Sequence, residues 1–541
     1  MRTKYIIVTG GVLSGLGKGI VAASIGRLLT PTYNVVPVKC DGYLNVDPGT
    51  MNPVEHGEVF VLDDGGEVDL DFGHYERFLN RDCKFEWNLT SGKIFKSLVE
   101  KERKGEFLGK TVQVIPHVTG EIRERWKSIA KKEKADILLI EIGGTVGDLE
   151  NLWFLEAARE LAAEVDRKDI LFVHMGLLPV IDGQGQQKTK PMQQSLLFLR
   201  ERGLIPRVLI GRSKERLTEK TKERIGFACN VPKENVFSDP NVTSVYEIPL
   251  ILEEEGLRKV LADELDMKVP SKLGRWSELV HAVKDAKKSV SIAVCGKYTE
   301  LADSYLSIQE ALFHAGAHND AKVHLRWVET SDIEKGKIPI KDALKGCDGV
   351  IVPGGFGSRG VEGKINVIQY LRENKIPFLG ICYGMQLAVI EYARSVCGLG
   401  GANTTEVNAS TSHPVIDILP EQRAIAYKGG TMRLGGHNVE VKKASKASGL
   451  YGALSIRERF RHRYEVNPQY VSHIESAQFR FSGKAPNQPI MQLCELSDHP
   501  FFVGTQFHPE LTSRLERPSP LFLGLIAASL KCKEQKFKLW K

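Results

Sequence analysis

This 541-residue sequence predicts an α/β protein built as two sheet-centred domains, and three observations carry that reading. Short apolar runs at Ile6, Val35–Val38, Val112–Ile115, Ile137–Ile142, Ile170–His174 and Val208–Ile210 alternate with helical stretches, the pattern of a doubly wound parallel sheet. The alternation ends with a helical stretch at Glu247–Leu265, a charged and weakly helical connection Ser271–Lys288 follows, and a new apolar strand opens at Val290–Val294. Each half also holds one apolar strand that runs through glycines straight into a helix, which presents a loop at the carboxyl edge of a sheet. The expected domains are 1–268 and 290–541 with 269–289 as linker, the second becoming richer in strand from Gly430 to Thr505.

Composition narrows the class. An apolar fraction of 42% with 26% charged residues is that of an ordinary globular chain, which excludes a disordered or fibrous one. The longest apolar stretches, such as Ile170–Ile181, are interrupted and shorter than the roughly 20 residues that a membrane helix needs. Met1–Thr9 reads as a first strand rather than a leader peptide, because its apolar run is brief before Gly10-Gly11. Nine cysteines without a C-x-x-C pair predict free thiols and a reducing, cytoplasmic setting. A net charge of +7 is modest for the length, and no basic, aromatic-interleaved patch points to nucleic acid. The basic tail Lys531–Lys538 reads as a solvated face.

In the first half, Tyr5–Thr9 is a buried-type strand followed by Gly10-Gly11-Val12-Leu13-Ser14-Gly15-Leu16-Gly17-Lys18-Gly19 and an Ala/Ile-rich helix. Free backbone N–H groups and the dipole at that helix start attract polyphosphate, and Lys18 reaches the terminal phosphates. The loop is of P-loop type with two departures from G-x-x-x-x-G-K-[ST]: five residues separate Gly11 from Gly17, and Gly19 replaces the hydroxyl that would ligate Mg²⁺. A carboxylate must come from elsewhere. Glu141 closes the apolar strand Ile137–Ile140 before Gly143-Gly144, the place of a Walker-B acid. Asp71, in Asp69-Leu70-Asp71, reads from position alone as a loop-surface acid.

In the second half, Pro377–Ile381 is a buried strand, Met385–Ala393 a helix, and Cys382 sits on the turn between them with Gly380 and Gly384 to make it possible. A thiol becomes a nucleophile when a base or cation holds it as thiolate, and Phe507-His508-Pro509-Glu510 supplies a histidine with a carboxylate behind it. Together with the loop Pro353-Gly354-Gly355-Phe356-Gly357, the elbow and the F-H-P-E segment resemble a class I glutamine amidotransferase domain. The resemblance implies that Cys382 attacks the amide of glutamine, that His508 relays the proton and that Glu510 orients His508. It places an oxyanion hole at the N–H groups of Gly355 and Tyr383. It assigns the binding of glutamine to Gly355, Tyr383, Gly384, Met385, Gln386, Glu406 and Arg463, the last within Arg461-His462-Arg463-Tyr464-Glu465.

Longer motifs run through the rest of the chain: Lys39–Met51, His56–Val61, Gly73–Phe78, Gln113–His117, Glu141–Asp148, Lys188–Pro191, Cys229–Pro232 and Gly429–Gly435. In this order they resemble the CTP synthase family, an N-terminal synthetase joined to a glutaminase. The resemblance implies ATP-dependent amination of UTP to CTP in pyrimidine biosynthesis: ATP phosphorylates O4, ammonia from glutamine attacks C4, and phosphate departs. It implies that Gly15, Leu16, Gly17, Lys18, Gly19, Ile20, Asp71 and Val242 bind ATP. It gives Ser14, Asp148, Leu149, Glu150, Lys188, Thr189, Lys190, Pro191, Met192, Gln193 and Arg224 to UTP or the inhibitor CTP. Lys18 and Lys39 would support phosphoryl transfer, and Asp71 with Glu141 would hold Mg²⁺. It further implies a homotetramer able to stack into filaments, CTP feedback and GTP activation, with no membrane or nucleic-acid partner.

Four places depart from the family pattern. Gly42 replaces a common proline and loosens that turn, Met192 replaces a hydroxyl, Arg224 replaces lysine, and Leu419–Lys428 looks shortened where a region of the GTP site lies. Another P-loop amidoligase fused to a glutaminase, of cobyrinate amidase type, is the alternative enzyme, and Lys188–Pro191 with His56–Glu58 speaks against it. A polymerising scaffold that kept its site residues incidentally is a third reading, opposed by the intact Cys382, His508, Glu510 and Lys18.

Overall fold

The computed structural model describes residues 2–51, 57–181, 185–269, 273–297, 302–355, 357–418, 432–476 and 478–539, without the side chains of 50 and 536–539. His56, Phe356, the stretch 419–428 and residues 429–431 lie outside these described residues. Packing divides the chain into two compact units, Met1–Pro48 with Asp71–Ser277, and Gly49–Leu70 with Glu278–Lys541. This differs from the expected division in one respect: the stretch Gly49–Leu70 packs with the second unit, while the break at Ser277 falls inside the expected linker.

The first unit is a seven-stranded parallel sheet. Its strands are β1 (Lys4–Gly10), β2 (Val35–Asp41), β3 (Asn88–Thr90), β4 (Ile137–Ile142), β5 (Ile170–Leu177), β6 (Val208–Ser213) and β7 (Val236–Pro240), in the order β3-β2-β4-β1-β5-β6-β7. β1, β2 and β4 are buried along their whole length, which is why they read as unbroken apolar runs rather than alternating ones. The chain lays β2 on one side of β1 and β5 on the other, so the order reverses beside β1 and opens a crevice at the strands' carboxyl ends. Helices α1 (Lys18–Leu29), α2 (Asp71–Leu79) and α3 (Lys190–Glu201) begin near that edge. The expected strand at Val112–Ile115 is instead an irregular turn leading into a helix at Thr119.

Helix α4 (Gly274–Asp285) begins in the supposed linker. Its Trp276 is fully buried, lies edge-on to Phe78 and Tyr246, donates to the Tyr246 carbonyl at 2.9 Å and carries Arg27 over its ring. A tryptophan bound on all sides anchors the end of the first unit, so the charged composition around it describes only the helix's outer face.

The second unit is a nine-stranded sheet. Its strands are β8 (Lys288–Gly296), β9 (Ala321–Glu329), β10 (Gly349–Val352), β11 (Phe378–Ile381), β12 (Arg433–Val441), β13 (Ser455–His462), β14 (Phe479–Lys484), β15 (Met491–Leu496) and β16 (Phe502–Thr505). Their order is β9-β8-β10-β11-β16-β15-β14-β12-β13, parallel from β9 to β16 and antiparallel beyond. Helices α5 (Val361–Glu373) and α6 (Tyr383–Ser395) follow β10 and β11. The stretch Gly49–Leu70 is fastened along β13. Arg457 pairs with Asp63 at 2.8 Å, Arg459 donates to the Val61 carbonyl at 3.1 Å, and Arg461 pairs with Glu67 at 2.8 Å. Alternation along the strand puts these three arginines on one face.

Candidate active sites

In the first unit, Gly17 caps α1 in the left-handed conformation (φ 91°), which turns the loop onto the helix start and puts Lys18 in its first turn. Lys18 is buried and donates to the Gly144 carbonyl, at the end of β4, at 2.6 Å. Burial pushes its ammonium below the ordinary value while Glu141 pulls it back. Lys39, near the end of β2, binds Glu141 at 2.9 Å and also pairs with Asp71. Tyr75 of α2 donates to the other Glu141 oxygen. Burial raises Glu141 above the usual carboxylate range; Asp71 suffers the same burial, yet Lys39 outweighs it and holds Asp71 below that range.

Asp71 is thus a partly buried member of the site rather than a surface acid. Its carboxylate lies against Gly19, where an added side chain would overlap Oδ1. Among the described residues no cluster of three or more His, Cys, Asp or Glu is arranged to hold a metal. Two carboxylates converging on one ammonium nonetheless fit a hard cation that takes one or two protein oxygens and fills its other positions with phosphate and water.

The remaining nucleotide candidates are dispersed along the same edge. Asp148 accepts from the Thr145 N–H at 2.7 Å and fixes the loop after Gly144; Leu149, Glu150, Ser14 and Lys190 are exposed. Lys188 donates to Gln186 at 3.1 Å, and Gln193 donates to Thr189 at 3.0 Å across the first turn of α3, which carries Pro191. Arg224 lines a separate cleft with Gly185, Gln187 and Thr221. The Met192 side chain is fully buried against Gly176. Gly42 is closely packed: a side chain there would lie 2.8 Å from the Glu150 carbonyl oxygen. Val242, partly exposed, follows β7.

In the second unit, Cys382 caps α6 with φ 52° and ψ −100°, a strained nucleophile turn. Gly380 and Gly384 are both obligatory: a side chain on the first would lie 2.8 Å from the Gly384 carbonyl, and one on the second would overlap the Val352 carbonyl oxygen. The Cys382 thiol is 3.8 Å from the Arg461 carbonyl oxygen. His508 Nδ1 and Glu510 Oε1 are 2.7 Å apart, leaving Nε2 for the thiol. Burial opposes charge on His508, but Glu510 and Cys382 outweigh it and raise the imidazole to about 10.

As the first residue of α6, Tyr383 has an amide N–H without an intrahelical acceptor, and Gly354-Gly355 crosses close to His508 and Cys382. Glu406 accepts from the Gly357 N–H at 2.9 Å, and burial raises its carboxyl. Met385 and Gly384 are buried in the helix start, and Arg463 is partly exposed beyond β13. Beyond the thiol lies a cavity lined by Glu58, Val59, Val61, Lys297, Arg461 and Leu511.

Two polar residues at these sites escaped the sequence reading. Gln506 donates to the Cys382 sulfur at 3.5 Å and accepts from Gln386 at 3.1 Å, so Gln386 acts on the thiol through Gln506 while also donating to the Tyr464 carbonyl. Its place just ahead of Phe507-His508 was the available signal. Asp239 ends β7 with its carboxylate 3.8 Å from where a Gly17 side chain would begin, and burial pushes it up to about 7.

The sequence pattern of the family described as CTP synthase N-terminus matches residues 4–267, and that of glutamine amidotransferase class-I matches 300–528. A curated protein named CTP synthase from Archaeoglobus fulgidus is 51% identical over 98% of this chain and 99% of its own length. The chain belongs to the CTP synthase family. Another CTP synthase, from Thermococcus gammatolerans, is 51% identical over 97% of this chain and 98% of its own. A solved glutaminase domain of the Trypanosoma brucei enzyme with bound acivicin is 35% identical over 45% of this chain and 94% of that one, with a TM-score of 0.41. As a CTP synthase family member, the chain joins a parallel-sheet α/β unit to a class I glutaminase unit. Among its described residues no helix is long and apolar enough to cross a membrane.

Proposed function

We propose that this chain aminates UTP to CTP at the expense of ATP, with ammonia that it releases from glutamine. The observation that carries the reading is the pair of assembled sites: Lys18 and Lys39 with Asp71 and Glu141 in one unit, and Cys382 with His508 and Glu510 in the other.

In the second unit, the Cys382 thiolate attacks the glutamine amide carbon, and the carbonyl oxygen turns toward the Gly355 and Tyr383 N–H groups as it gains charge. His508 gives its proton to the departing nitrogen, ammonia leaves, and water activated by His508 frees glutamate from the thioester. Glu510 keeps the imidazole in register throughout. Glu406 and Arg463 hold the amino and carboxylate ends of glutamine. In the first unit, the Gly15–Ile20 loop cradles ATP, and Lys18 and Lys39 neutralise the γ-phosphoryl group as it passes to O4 of UTP. Mg²⁺, held by Asp71 and Glu141, would supply charge neutralisation between phosphates. Ammonia then displaces the phosphate at C4. Ser14 and Lys188–Gln193 hold the UTP phosphates, with Arg224 beside them.

The family also supports a homotetramer, CTP feedback near Asp148–Glu150, and GTP activation through the 419–428 region. Nine unpaired thiols support a reducing, cytoplasmic setting. The deciding experiment reads CTP formed from UTP and ATP with either glutamine or ammonium chloride as nitrogen donor. CTP from both is expected; none from either would overturn the reading.

A further inference from the structure

Lys364 lies on α5 with 1% of its surface exposed. Among the described residues no carboxylate pairs with its ammonium; what it meets is a ring face, with Nζ 5.5 Å from the centroid of Tyr383. The same Nζ lies 3.8 Å from where a side chain on Gly355 would begin. Gly355 and Tyr383 are the two residues whose N–H groups the proposed glutaminase aims at the carbonyl oxygen. A buried cation without a counter-ion is costly, and where one persists beside a reactive group it points to use rather than to packing.

We propose that Lys364 is a positioning residue of the glutaminase, its positive charge holding the Gly355 loop and the Tyr383 turn together so that their N–H groups meet the oxyanion formed on glutamine. The negative charge of that intermediate supplies a close counter-charge, so the interaction strengthens as the thiolate attacks. This rests on the glutaminase reading above.

The groups facing Lys364 set a pH window. Burial first, and then the Lys297 ammonium at the end of β8, push Lys364 down to about 8, against the pull of Cys295 on β8 and Glu329 at the end of β9. Below that value the ammonium is charged; as pH rises through it the charge is lost. Lys297 approaches Gly355 from its own side with Cε 3.7 Å from the same point.

The test compares the full-length protein with Lys364→Met, which keeps length and removes charge, reading glutamate release from pH 6 to 10. For Lys364→Met we expect kcat to fall roughly tenfold at pH 7 with the KM for glutamine within twofold, and the activity loss near pH 8 to vanish. Ammonia-driven CTP formation serves as the folding control. A kcat within twofold of the parent, or an unaltered alkaline limb in the variant, overturns the proposal. If Lys364→Met does not fold, the parent alone decides: turnover should fall through pH 8 while alkylation of Cys382 by iodoacetamide, which uses no oxyanion hole, should not. A parallel fall in both overturns it too. A parent that releases no glutamate sinks the glutaminase reading instead.

Discussion

The carboxylate of Asp71 stands where a side chain on residue 19 would have to begin. In an ordinary P-loop that position carries a hydroxyl that ligates the metal; here Gly19 is bare and an acid from α2 fills the vacated space. Restoring the usual motif should therefore do harm. Gly19→Ser is expected to displace Asp71 and cut ammonia-driven CTP formation by about 100-fold, the scale of misplacing a phosphate-site group. Glutamate release without nucleotides is the control. Activity within threefold of the parent would refute the replacement.

Lys39 is the cation that lets the buried Glu141 and the partly buried Asp71 coexist. Lys39→Met leaves Asp71 and Glu141 facing each other, and breaking a buried pair this way costs on the order of 3–5 kcal/mol. Asp71, now held low by Lys39, contributes stability above the ordinary Asp value that is lost only as pH falls through its depressed value. Without Lys39, burial is opposed only by the weaker pull of His74 and Lys18 and the pKa of Asp71 rises, so calorimetry should show the first unit melting earlier at pH 7.5, with part of the loss recovered at pH 5. An equal loss at both pH values would contradict the pairing.

Cys382→Ala should abolish glutamine-driven CTP formation and leave ammonia-driven formation within about twofold, because the thiol belongs to the ammonia supply alone. A coupled assay with each nitrogen donor checks this. Loss of both activities would mean that the thiol also serves the synthetase unit.

His508 is raised to about 10 although burial opposes its charge, so the stability its charge provides is complete below the ordinary histidine value and disappears as pH climbs through about 10. Glu510→Gln removes the largest pull. The imidazole should then titrate several units lower by NMR of its ring protons, and glutamate release should fall about 10-fold to 1000-fold. An unmoved titration would show that Cys382 alone sets the pKa.

What could be read from the chain and what could not divides along physical lines. Cys382 and Lys18 were legible because each lies on a strand–glycine–helix turn whose geometry is written within a dozen neighbouring residues. Asp71 was not legible from position; its partners Lys39 and Glu141 come from other strands, so only the family resemblance placed it. Lys364 gave no local signal, because a buried lysine resembles a surface one until its neighbours are known, and Gln506 offered only its place ahead of Phe507-His508. The 269–289 segment does bracket the break between the units at Ser277, but the burial of Trp276 within it could not be read from its charged neighbours. Met192 stood in a ligand-rich motif but faces the core.

The stretch Gly49–Leu70 sets an order of events during synthesis. Asp63 and Glu67 leave the ribosome 394 residues before Arg457 and Arg461, the side chains they pair with. At roughly 5–20 residues per second they wait about 20–80 seconds. Through that interval the nascent chain carries two unmet acids and a strand-forming segment, Phe60–Val61 with Glu67–Val68. The second unit's wall beside the thiol is finished only when β13 arrives to claim a piece made near the beginning, and His508 and Glu510 come later still, so release of ammonia cannot start before synthesis has passed Glu510.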